Sequence, residues 1–128
     1  SEGRKFDYWH LATMMSAKQL VHVIQEDSFD VEAANAKLKA YEDASQGLLT
    51  FVKADDKNKP MMWSTMDMHL EALVVSAKQR IRRVRDKVPY RDTDKAHLSS
   101  NSGWMVEGSP DRVIRDYNEL IGSSNRLR

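Results

Sequence analysis

The sequence predicts an all-α protein, a helical bundle of three long helices plus a short C-terminal helix, and three observations carry that prediction. Apolar residues recur at helical spacing through three long stretches, no window of five or more residues alternates apolar and polar as a strand would, and proline, aspartate and serine signals punctuate the stretches. With 128 residues and 41% hydrophobic content the chain is about one domain long and can bury a core without staples. Residues 1–128 therefore read as a single helical domain.

In the first helix Phe6, Trp9, Thr13, Ala17, Leu20, Val21 and Ile24 form one stripe that runs to about Glu26, with His10 on the same side. Tyr8, Leu11 and Met15 make a weaker second strip, so the first half of this helix needs cover on two sides. A break at 26–29 leads to Asp30, a suitable N-cap, with Glu32 placed to favour the positive helix start. The second helix then carries Val31, Ala34, Leu38, Tyr41, Ser45, Leu48 and Val52 in 3-4 spacing to about Ala54, the seam of a bundle. Gly47 within it lowers helix stability by about 1 kcal/mol relative to alanine, which predicts a close helix contact there.

A polar turn at 55–60 ends on Pro60, which suits the first turn of the third helix. That helix is expected over Met61 to Val88, stopped by Pro89. Its core stripe is Met62, Trp63, Met66, Leu70, Leu73, Val74, Ala77, Ile81, Val84 and Val88. The opposite side changes character halfway along. Met61, Met68, Ala72 and Val75 form a second apolar strip in the first half, while Lys78, Arg80, Arg82, Arg83, Arg85 and Lys87 occupy the back of the second half with Asp86 as the sole acid. The three helices, roughly 22, 25 and 27 residues long, would span about 33 to 40 Å.

Residues 89–108 show no sustained period and read as a long loop, in which 93–98 could close one helical turn and Trp104, Met105 and Val106 dock back as an apolar clip. Ser109, Pro110 and Asp111 then start a short helix with Val113, Ile114, Tyr117, Leu120 and Ile121 on its apolar face. Gly122 ends it, and 122–128 is a frayed tail.

Composition excludes several classes of function. Without cysteine there are no disulfides or thiolate metal sites. The longest apolar run, residues 72–75, is far too short for a membrane span, and no signal-peptide pattern opens the chain, so a cytoplasmic protein is expected. The net charge of +1 hides an asymmetry: residues 1–57 hold seven Lys/Arg against ten Asp/Glu, and residues 58–128 hold thirteen against nine. Capacity for binding anions is thus concentrated on the third helix and the segment after it. There is no phosphate-cradling glycine loop, no HExxH, no GxSxG and no zinc spacing, and neither a cofactor nor a metal is expected.

These features favour a non-catalytic binding or regulatory protein. The strip of Met61, Met68, Ala72 and Val75, with Tyr8, Leu11 and Met15, would be buried in a homodimer, the competing account being that the short fourth helix and the Trp104 clip do all the covering. The row from Lys78 to Lys87 would steer a macromolecular partner, either a protein with an acidic surface or a nucleic acid whose counterions it displaces. The competing account of the same cations is a solvated face that complements the negative helix end, and no aromatic residue is interleaved with them to stack bases.

Arg91 and His97 stand as R-x5-H just beyond the basic helix, with Asp92 and Asp94 between them. The pair resembles the short Arg/His signature of the HEPN superfamily, small helical bundles that include metal-independent ribonucleases and non-catalytic partners. The resemblance covers seven residues. It implies an alternative function, RNA cleavage with His97 in acid/base work at the 2′-hydroxyl and Arg91 on the phosphate.

Overall fold

The computed structural model describes the backbone of residues 2–55 and 60–103 and, within them, the side chains of 8–51 and 67–103. Its elements are α1 (Glu2–Ile24), α2 (Val31–Asp55), α3 (Pro60–Arg85) and α4 (Asp92–Ser102), and no strand occurs among the described residues. The protein is all-α. The short helix expected from Ser109, the clip at 104–106, the tail at 122–128 and the Met61 side chain lie outside the described residues.

Successive helices run antiparallel. Gln19 on α1 accepts from Lys37 on α2 at 3.0 Å while Trp9 lies against Gly47, Tyr41 on α2 reaches Leu70 on α3, and Arg83 and Ser76 on α3 meet Asp94 and Asn101 on α4. α1 packs chiefly on α2, α2 on α3 and α4 on α3, and α1 touches α3 more lightly. The core runs through all four: Ala17, Leu20 and Ile24 of α1, Leu38, Tyr41 and Leu48 of α2, Leu70, Leu73, Ala77 and Ile81 of α3, and Leu98 of α4. The helical spacing therefore identifies the inward faces. α2 also buries Ala44 and Leu49, off its seam, because it is clasped on two sides.

Local chemistry sets the boundaries. Asp30 caps α2 as its position predicts, its Oδ1 accepting from the Glu32 N–H at 3.0 Å. α3 ends at Arg85, three residues before the expected Val88, because Lys87 turns left-handed (φ 58°) and the Val88 N–H reaches back to the Arg83 carbonyl at 2.9 Å, with Lys87 N–H on Val84 at 3.1 Å. This is a Schellman closure with lysine where glycine is usual.

The long loop expected over 89–108 is corrected: residues 92–102 are helical. Asp92 and Asp94 favour the positive helix start, and the Asp94 carboxylate accepts the Arg91 N–H at 3.3 Å. Leu98 is the sole buried residue of α4, so the segment has no apolar repeat for periodicity to detect.

Candidate functional site: the outer face of α3 and the cleft under α4

The six cations between Lys78 and Lys87 do not share one environment. Lys78, Arg82, Arg85 and Lys87 are exposed, with Arg85 Nε 3.1 Å from its neighbour Asp86 in an exposed pair worth little. Arg83 is partly covered and its Nε lies 3.3 Å from Asp94 Oδ1 on α4.

Arg80 corrects the sequence reading. It is 3% exposed and points inward. Its Nε donates to the Ile24 carbonyl at 2.9 Å, and its Nη2 donates to the carbonyls of Glu26 and, at 3.1 Å, Asp27. The guanidinium thus caps the C-terminus of α1, whose last carbonyls have no helical partner. The Tyr90 ring stacks on it, 3.5 Å from Cζ to the centroid, and Phe29 stands 5.2 Å away on the same group. Burial lowers the pKa of Arg80, opposed by Tyr90, Asp27 and Asp94, while burial raises that of Tyr90 against the pull of Arg80. The signal is present in the spacing, since Leu73, Ala77, Arg80 and Val84 continue one 3-4 series on the core side.

In the other half of α3, Met68 and Val75 are 62% and 56% exposed, and Tyr8 on α1 is 61% exposed with its ring edge-on to Trp9 at 5.0 Å. Ala72, Leu11 and Met15 are partly buried. Met68 and Val75 follow each other along one side of α3 and lead toward Lys78 and Arg82, so an apolar strip passes into a cationic one.

α4 lies over α3 with the Leu98 side chain in the core and Asn101 donating to the Ser76 hydroxyl. Between the two helices is a cleft bordered by Ser76, Gln79, Arg80, Arg83, Asp94 and His97. His97 is exposed at its rim, whereas Arg91, exposed at the N-cap of α4, is not among the bordering residues. Six residues of helix put the two side chains about 9 Å apart along the axis and on different faces. Among the described residues no group of three or more His, Asp or Glu is placed to hold a metal ion, and no helix is long and apolar enough to cross a membrane.

Taken together these features define an antiparallel all-α domain whose longest helix displays an apolar strip running into a cationic one. The chain belongs to the family described as Protein of unknown function (DUF3829), whose model matches residues 1–126. It is similar to the Uncharacterized protein YiiG of Escherichia coli (strain K12), 44% identical over 131 residues covering 99% of this chain and 35% of that protein. The chain therefore spans about a third of the length of the curated relative it matches. No solved structure matches it.

Proposed function

We propose that this is a non-catalytic helical binding protein that pairs with a second copy of itself and engages a macromolecular partner, a protein with an acidic surface or a nucleic acid. The observation that carries the reading is the outer side of α3, where exposed Met68 and Val75 run on into exposed Lys78, Arg82, Arg85 and Lys87. Large apolar side chains in water favour association, and a neighbouring cationic row speeds encounter with an anionic surface. In this reading Met61 and Ala72 extend the self-association strip, and Tyr8, Leu11 and Met15 contribute from α1. The partner contact excludes Arg80, which is spent on α1, and uses Arg83 only at its exposed edge. The cytoplasm is the compartment this reading assumes.

Molar mass in solution tests the first half. A dimer that becomes monomeric on Met68→Glu with Val75→Glu supports the reading, and a wild-type monomer at high protein concentration sinks it. For the second half, binding to heparin or an acidic column should weaken on Arg82→Glu with Arg85→Glu and should fall steeply with salt. Unchanged retention at low salt would leave the cations merely solvated. Degradation of RNA by the wild type, lost on His97→Ala, would replace this reading with the catalytic one.

A further inference from the structure

The exposed side of α3 carries its charges in a definite order. Asp67 and Glu71 come first, Lys78 and Arg82 follow, and exposed Val75 stands between the two pairs. At 100° per residue all four charges fall within about 60° of one another, on one flank of the Met68 and Val75 strip. Glu42 of α2 borders the same groove as Asp67 and Glu71, so the first half of that flank is acidic on both helices. The other charges of this stretch are engaged or face elsewhere: Arg80 caps α1, Arg83 meets Asp94, Arg85 pairs with Asp86, and His69 stands on the opposite flank.

Among the described residues none of these four charges forms an ion pair. Along the helix each has a like charge four residues away, Asp67 with Glu71 and Lys78 with Arg82, and like charges at that spacing repel. Asp67 and Glu71 stand as far before the midpoint of Val74 and Val75 as Arg82 and Lys78 stand after it. A twofold axis through that midpoint, perpendicular to the helix, runs a second α3 antiparallel and brings like flanks together, so every acid of the four meets a base. An axis along the helix brings opposite flanks together and sets each cation level with its own copy.

We propose that two copies pair through α3 in antiparallel, with Val75 against Val75 of the second copy at the centre and Glu71 and Asp67 facing the second copy's Lys78 and Arg82. Met68 then lies along the aliphatic stem of the second copy's Arg82, whose charged head stays in water. This rests on the self-association proposed above and adds its direction. The apolar contact supplies the affinity, while the charges at the rim add little to it and select the antiparallel arrangement over one with cation beside cation. Arg85 and Lys87 of each copy project beyond the seam, at opposite ends of the pair.

The chain has no cysteine, so single cysteines placed in the whole chain report the arrangement directly. Under mild oxidation Val75→Cys should cross-link to itself at least about tenfold faster than Met68→Cys, because the two copies of position 68 would lie about 20 Å apart and a disulfide needs Cα atoms within about 7 Å. Both positions are exposed, so neither substitution threatens the fold. In sedimentation, Glu71→Lys and Lys78→Glu should each weaken the dimer at least about tenfold, and the two together should restore it to within about threefold of wild type. Equal cross-linking at the two positions, or a double reversal as weak as the single ones, would overturn the antiparallel pairing and leave self-association standing. A monomeric wild type would remove both.

Discussion

Individual residues hold this fold at a few points where polar groups are buried. Arg80 supplies three donors to the end of α1, so Arg80→Met should lower stability by about 2–4 kcal/mol by chemical denaturation, with Arg80→Lys intermediate because an ammonium cannot span the same carbonyls. Tyr41 is fully buried and its hydroxyl donates to the Leu70 carbonyl at 2.9 Å. Burial, and secondarily Glu71, raises its pKa above the ordinary 10.0, so the folded chain keeps a proton that the unfolded chain releases. Its contribution is complete below pH 10 and is lost as pH rises beyond it, at up to about 1.4 kcal/mol per pH unit. Tyr41→Phe should flatten that alkaline decline in stability, and a wild-type curve level to about pH 11 would show that the proton is not retained. At Lys87 the strain runs the other way. A lysine in the left-handed region at φ 58° is replaced to advantage by glycine, and Lys87→Gly should raise stability by about 0.5–1 kcal/mol.

At the scale of the element, α1 and α2 depend on close approach and α4 depends on one anchor. A Cβ at Gly47 would overlap the Trp9 ring, so the gain of about 1 kcal/mol in helix propensity from Gly47→Ala is outweighed by overpacking of about 1–3 kcal/mol. Thermal unfolding should show a lower midpoint for the alanine variant, and restoration by Trp9→Leu would place the conflict at that contact. The close contact predicted from a glycine inside a strong helix is thus present, and its partner is an indole that spacing alone does not name. α4 has only Leu98 in the core, helped by the Asp94 to Arg83 pair and the Asn101 to Ser76 hydrogen bond. Leu98→Ala should release it at a loss of about 2–5 kcal/mol of local stability, read as faster amide exchange in 92–102 with α1 and α2 still protected. That single anchor also explains why the sequence predicts a loop over 92–102: a helix bound by one leucine and two polar contacts has no repeat to read.

For the whole molecule, antiparallel packing makes α2 and α3 shared surfaces, and it determines which of their faces remain in water. Met68 and Val75 face solvent while Arg80, further along the same helix, is enclosed by the end of α1 and the Tyr90 ring. Self-association through that strip should therefore be insensitive to salt, whereas partner binding through Lys78, Arg82 and Arg85 should weaken with it. Sedimentation at low and high salt separates the two, and a dimer that dissolves in salt would shift the contact from the methionine strip to the cations.

Local sequence patterns determined α1, α2 and α3, their inward stripes, the Asp30 cap and the alternation of greasy and cationic stretches on α3, because each depends on neighbours within about one or two turns. The order of those faces in space was decided elsewhere. Arg80 became a cap rather than a contact, and Arg83 and Asp94 came to share a cleft, because carbonyls and carboxylates many residues away arrive at them only when α1 and α4 dock. A cation's role follows from which acceptor it meets, and no spacing in the sequence records that meeting.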